Sequence, residues 1–225
     1  MTRKERYRAV LDWFRTNMPV AESELHFNDS FQLLVAVILS AQCTDKRVNM
    51  ITPALFEAMP TSVEMSQATP EAVLEYIHSV SYPNSKARHL VQMAQMLQRD
   101  YGGEVPRDFN ALLRLPGVGR KTANVVSAVA FGQSTIAVDT HVYRVSHRLG
   151  LVGNKQNTPY AVEQELLKNI AEADRGNAHH WLLLHGRYVC QSRKPACGSC
   201  GLQPFCQYGS HHAVTPPSNT PKATS

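Results

Sequence analysis

Apolar residues recur along this chain at the three-to-four-residue spacing of a helix face, and they do so almost from end to end. At 3–17, Tyr7, Val10, Leu11 and Phe14 share one face, and Pro19 stops the helix. Asp29 or Ser30 caps a segment at 31–40 that is apolar nearly all round, which predicts a buried helix. Thr44 caps 45–59, and Thr69-Pro70-Glu71 sets a cap, a first-turn proline and an acid before 73–77. A helix starting at Ser85 runs to about 101, where Gly102-Gly103 ends it. Asp108 opens 109–114, and 120–131 is ended by Gly132. Asp139 caps 140–149, Gly150 ends it, Thr158-Pro159 opens another helix, and Asn177 caps the last, through Tyr188. Ile136-Ala137-Val138 is the only β-like run and is too short to build a sheet. The pattern predicts an all-α chain of about ten helices joined by short turns, without an internal repeat. From Gly209 the residues are Ser, His, Thr, Pro, Asn and Lys, so 209–225 is expected to be a disordered tail.

Composition narrows this picture. A length of 225 residues allows one large domain or two small ones. Hydrophobic residues at 43% and charged residues at 18% exclude a disordered chain. The longest apolar run, 33–39, has seven residues, far short of the roughly 18 of a membrane span. The first six residues lead into charge, not into a signal-peptide core. A cytoplasmic protein with no membrane association is the expectation. A net charge of +5 and a pI near 9.0 permit a polyanionic partner such as nucleic acid.

One stretch joins this charge to chemistry. Leu115-Pro116-Gly117-Val118-Gly119-Arg120-Lys121 lies between two predicted helices. Gly117 and Gly119 are expected to allow backbone conformations closed to other residues and a close approach by a ligand. The second helix starts at once, so its free N–H groups form an anion site suited to a DNA phosphate. The residues alone also fit a plain tight turn. Lys121 falls in the first turn of that helix, where a cation is disfavoured. It reads either as a solvated surface lysine or as an amine nucleophile toward a sugar carbon. Eighteen residues later, Asp139 is a helix cap whose fixed carboxylate also suits a general-base or electrostatic role. Arg144 and Arg148, four apart on the next helix, form a phosphate clamp or a solvated basic face.

Five cysteines are an odd count, and four of them fall within seventeen residues, where a disulfide framework would spread an even count along the chain. Cys190, Cys197, Cys200 and Cys206 read C-x6-C-x2-C-x5-C, which signals Zn²⁺ or an iron–sulfur cluster. Arg193 and Lys194 make the intervening loop basic. Cys43, on an apolar stretch, reads as a buried thiol.

The stretches LPGVGRKTANVV (115–126), AVDTHV (137–142), HWLLLHGR (180–187), LSAQCTD (39–45) and NSK (84–86), with the cysteine spacing, closely resemble the endonuclease III family of helix-hairpin-helix DNA glycosylases. The resemblance runs from about residue 5 to 208. It implies the helix-hairpin-helix DNA glycosylase fold, two helical domains flanking a DNA-binding cleft. A six-helix barrel at 22–132 would carry the hairpin, and 1–21 with 133–208 would form the cluster domain. The implied cofactor is a [4Fe-4S] cluster on Cys190, Cys197, Cys200 and Cys206. The implied activity is removal of oxidised pyrimidines from double-stranded DNA, followed by cleavage at the abasic site. Lys121 would attack C1′ and Asp139 would assist, both at the mouth of the cleft. Gln42 and Tyr82 would fill the space left by the flipped base. Gly117, Val118, Gly119, His141, Arg144, Arg148, Arg193 and Lys194 would contact DNA. The protein is expected to act as a monomer, nucleoid-associated if the source is bacterial. This chain departs from the family pattern at Ser81, where glycine is usual, and at Tyr82, where leucine is frequent. The alternatives are a monofunctional mismatch glycosylase and a non-catalytic iron–sulfur DNA-binding protein. Lys121 argues against the first, and Lys121 with Asp139 against the second.

Overall fold

The computed structural model describes residues 1–211, and every regular element among them is helical. In chain order these are α1 (Arg3–Asn17), α2 (Ser30–Ser40), α3 (Asp45–Ala58), α4 (Ser62–Gln67), α5 (Pro70–Ile77), α6 (Pro83–Tyr101), α7 (Phe109–Arg114), α8 (Arg120–Phe131), α9 (Thr140–Leu149), α10 (Pro159–Asn169), α11 (Glu172–Tyr188) and α12 (Gln207–His211). Two single 3-10 turns, Cys197–Ser199 and Gln203–Phe205, precede α12. Side-chain oxygens of Thr2, Asp29, Thr44, Thr61, Thr69, Asp108, Asp139 and Thr158 each close a helix start by accepting a backbone N–H. Such a cap is worth about 1 kcal/mol.

The differences from the sequence expectation have local causes. Helix α4 has only six residues, too few for a periodic signal. Its mark in the sequence is Thr61 with Glu64 three positions on, and the two form a reciprocal capping box. Helix α11 starts at Glu172, not behind Asn177, and its N-cap Ala171 offers no side chain. Glu172 and Asp174 in the first turn supply the negative charge that this end of a helix favours. The expected tail at 209–225 begins too early. Gly209 and Ser210 are helical with His211, Gly209 is buried, and the Gly209 N–H reaches Cys206 Sγ at 3.2 Å. The rest of that tail, 212–225, lies outside the described residues.

The chain divides into two compact units, Glu22–Ala137 and Met1–Ala21 with Val138–Ser225. The division falls beyond the boundary expected at 132, because Ala137 still belongs to the core of the first unit. That unit is organised on α2, whose residues from Phe31 to Leu39 are all buried. Helices α3, α6 and α8 pack on α2, α4 and α5 pack on α6, and α7 packs on α8. In the second unit α9 packs against α10, α11 and α12, and α1 meets the Gln203–Phe205 turn. Gly186 makes the α9–α11 approach possible, since a Cβ there would meet His141 Cβ and Val145 Cγ2 at 2.9 Å. No helix among the described residues is long and apolar enough to cross a membrane.

Candidate active site

The hairpin is built by anchoring its ends and leaving its middle open. Leu115 and Val118 are buried, and the Val118 N–H donates to Leu115 O at 3.1 Å, closing the turn. Gly117 has φ 79° and would press a Cβ against His89 Cβ at 3.0 Å, so both backbone and space require glycine. The expectation of special backbone freedom at Gly119 is corrected, because its φ is −94°. The space at 119 is open: an added Cβ would meet nothing within 4 Å. Gly119 is the N-cap of α8, and no side chain closes that end. Val118 is committed inward by both its side chain and its amide, so it holds the turn from beneath.

Lys121 lies in the first turn of α8 and is exposed. Its base is rigid, since the next residues, Thr122 to Ser127, are buried. The neighbouring Arg120 guanidinium lies 5.3 Å from the Phe109 ring centroid. An exposed amine on a buried helix start can be presented to a large ligand with little loss of conformational freedom.

In the other unit, Asp139 is half-buried, and its Oδ1 accepts the Val142 N–H at 2.8 Å. The carboxylate is therefore fixed as the α9 cap, as the sequence indicated. His141 follows in the first turn, its Nδ1 3.2 Å from Arg144 Nη2. The expected clamp of Arg144 and Arg148 has another occupation. Arg144 donates to Cys190 O at 3.1 Å and Gly186 O at 2.8 Å. Arg148 donates to Gln191 O at 2.7 Å and Ser192 O at 2.8 Å, with Tyr208 stacked 4.7 Å from its guanidinium carbon. Both guanidiniums thus satisfy carbonyls of the segment that follows α11. Arg193 and Lys194, further along it, are exposed.

Gln42 and Tyr82 share a feature the sequence did not signal. Among the described residues they are the two non-glycine positions with positive φ, 56° and 55°. Each such residue costs about 1–3 kcal/mol and persists only where its surroundings hold it. Both are exposed. The holding groups are Ser81 and Lys86. Ser81 Oγ donates to Gln42 O at 2.6 Å. Lys86 is buried, and its Nζ donates to Leu39 O and Ala41 O at 2.7 Å each, while its backbone N–H takes Tyr82 O at 3.1 Å. Burial lowers the Lys86 ammonium from its ordinary pKa, with a smaller opposing effect of Cys43. Lys86 was readable: it lies on the buried stripe of α6 with Leu90, Met93 and Leu97.

The four cysteines line a single pocket with Leu149, Val189, Ala196 and His185. None of the five cysteines is in a disulfide. Among the described residues no group of three or more His, Cys, Asp or Glu is arranged to hold a metal ion. The four cysteines line the pocket instead. Burial pushes the Cys200 and Cys206 thiols up, and the neighbouring cysteines add to the rise. Four thiolates here therefore call for a cationic partner. His185, missed in the sequence reading, is pushed down to about 4 by burial and stands with Nε2 3.6 Å from Cys200 Sγ. Cys43 is half-buried, against the apolar core of 22–137.

The site therefore joins an anion-ready turn, an exposed lysine behind it and a separate group of cysteines, and comparison with known proteins supplies the class. The model of the HhH-GPD superfamily of base excision DNA repair proteins matches residues 35–172. Endonuclease III of Rickettsia felis is 46% identical over 199 residues, covering 88% of this chain and 92% of that protein. Endonuclease III of Escherichia coli is 45% identical over 199 residues, covering 88% and 93%. A solved trapped covalent intermediate of endonuclease III with DNA aligns at a TM-score of 0.90 and 42% identity, covering 95% of this chain and 100% of that one. The chain belongs to the HhH-GPD superfamily and, within it, to the endonuclease III family.

Proposed function

We propose that this protein is a bifunctional DNA glycosylase and AP lyase of base excision repair, acting on oxidised pyrimidines in double-stranded DNA. The observation that carries this reading is Lys121, an exposed amine in the first turn of α8 directly behind the open Gly117–Gly119 hairpin. A water-using relative has no need of an amine at that place.

The target nucleotide leaves the base stack, a cost of a few kcal/mol that is smallest for a damaged base. The backbone N–H groups at the start of α8 hold a phosphate, fixing register without reading sequence. The Lys121 Nζ lone pair attacks C1′, and the glycosidic C–N bond breaks with its electrons leaving on the base. Asp139, held by the Val142 N–H, is assigned to assist by stabilising positive charge that develops on the sugar, and the proton that Nζ sheds leaves to water. The nitrogen lone pair then opens the sugar ring, the C1′–O4′ bond breaking and O4′ taking a proton, and the resulting iminium makes the C2′ proton acidic. Its removal expels the 3′ phosphate, and water then releases Lys121.

Gln42 and Tyr82 are assigned to the space left by the flipped nucleotide. A Tyr82 ring stacked on a base is worth about 1–3 kcal/mol. His141, Arg193 and Lys194 are assigned to the DNA backbone. Arg144 and Arg148 contribute indirectly, by bracing the cysteine segment. Cys190, Cys197, Cys200 and Cys206, which line one pocket, are assigned as the ligands of a [4Fe-4S] cluster, one sulfur for each iron. When bound, the cluster supplies cationic charge that relieves the four thiolates and ties 190–206 into one body. A monomer acting on chromosomal DNA is the expected form.

Borohydride added to protein and abasic-site duplex tests the reading. Wild type is expected to give a covalent adduct, and Lys121→Gln none. Absence of adduct with wild type overturns the lyase assignment. As-purified protein is expected to be yellow-brown, with about four iron and four sulfide per chain.

A further inference from the structure

The two strained turns are not independent. They are 39 residues apart in sequence, yet three hydrogen-bonding arrangements tie them together within the unit 22–137. The Ser81 hydroxyl, one position before Tyr82, donates to the carbonyl of Gln42 at 2.6 Å. The Lys86 ammonium takes the carbonyls of Leu39 and Ala41 on either side of the α2 terminus. The Lys86 amide takes the carbonyl of Tyr82. Lys86 is thus the peg beneath both turns, and the Ser81 hydroxyl runs directly from one turn to the other.

We infer that Ser81 is a positioning residue for recognition of the base opposite the lesion. Its hydroxyl locks the Gln42 turn to the Tyr82 turn, so that both side chains meet the duplex as one preorganised unit. The inference rests on the assignment of Gln42 and Tyr82 to the space vacated by the flipped nucleotide. Glycine, usual at 81 in the family, has no hydroxyl and cannot make this bond. The left-handed backbone lies at Tyr82 and not at Ser81, so a hydroxyl-bearing residue at 81 carries no backbone penalty. Holding two side chains in their bound geometry raises affinity by reducing what must be ordered on binding.

The test is steady-state turnover of lesion duplexes that differ only in the opposite base, with Ser81→Ala, Ser81→Gly, Ser81→Thr, Gln42→Ala, Tyr82→Ala and the Ser81→Ala/Gln42→Ala double variant. Thermal melts are run in parallel. Loss of one neutral hydrogen bond predicts a KM rise of about fivefold for Ser81→Ala and Ser81→Gly, larger than any change in kcat. The ratio between best and worst opposite base is expected to shrink. Ser81→Thr, which keeps the hydroxyl, is expected to restore both. The double variant is expected to lose less than the product of the single losses, as coupled residues do. An unchanged KM and opposite-base ratio in Ser81→Ala, beside an impaired Gln42→Ala, overturns the inference while leaving the assignment of the two turns standing. Multiplicative losses in the double variant, or no rescue by Ser81→Thr, also overturn it. If Gln42→Ala and Tyr82→Ala are both without effect, the assignment of the turns falls and the inference falls with it.

Discussion

The unit 22–137 and the unit formed by the two chain ends solve the same packing problem with different chemistry. The first closes on aliphatic side chains: Leu33, Leu34, Leu39, Leu55, Leu90 and Leu97 are fully buried around α2. The second centres on rings, with Phe14 stacked on Trp181 at 5.6 Å and set edge-on to His185 at 5.8 Å. Its last described stretch has little regular structure, so many carbonyls lack a helical partner. Arginines supply it. Arg6 reaches Phe205 O and Gly150 O, Arg144 reaches Cys190 O, and Arg148 reaches Gln191 O and Ser192 O. A regular helix satisfies its own backbone, whereas an irregular segment must be satisfied by side chains brought from elsewhere.

Both tryptophans, Trp13 and Trp181, lie in the second unit, so their fluorescence reports its unfolding while far-UV dichroism reports both. The largest effect is expected for Cys200→Ser. Loss of one ligand should remove the visible absorbance and lower the tryptophan-detected stability by several kcal/mol, since binding at a structural centre is folding free energy. A tryptophan transition unchanged by that variant would sink the cofactor's structural role. Next is Leu34→Ala, expected to cost about 3–5 kcal/mol in the dichroism transition. An equal shift in tryptophan fluorescence would mean that the two units unfold as one, and the contrast would lose its thermodynamic content. Arg148→Ala should cost about 2 kcal/mol through unsatisfied carbonyls, seen in fluorescence first. The smallest effect is Thr61→Ala, about 1 kcal/mol in the first unit. Glu64, held below its ordinary value by the Thr61 hydroxyl and by backbone N–H groups, adds a pH signature. The contribution is present above pH 4.5 and is lost as pH falls through the lowered value, and Thr61→Ala, which keeps the backbone N–H groups, should flatten that slope without abolishing it.

The same contrast sets what was legible in the sequence. Apolar spacing and caps delimit 31–40, 109–114, 120–131 and 140–149 because those helices are local and self-capped. The helix-start positions of Lys121 and Asp139 were legible because neighbouring residues mark where each helix begins. The start of α11 was not, because its charge compensation comes from Glu172 and Asp174 and not from a cap. The true work of Arg144 and Arg148 was hidden for a different reason. Their partners lie 42 to 46 positions away, and spacing along one helix cannot show where a guanidinium ends. The bond from Ser81 to Gln42, across 39 positions, was hidden in the same way.

The central claim is that the amine of Lys121 becomes covalently joined to the sugar of the nucleotide being repaired. The most direct measurement is peptide mapping, by mass, of the borohydride-reduced adduct formed with a duplex carrying one oxidised pyrimidine. The account predicts that the added mass sits on Lys121, on the peptide that begins α8, with the base absent from the adduct. An adduct on any other amine, or base release with no adduct at all, would contradict it.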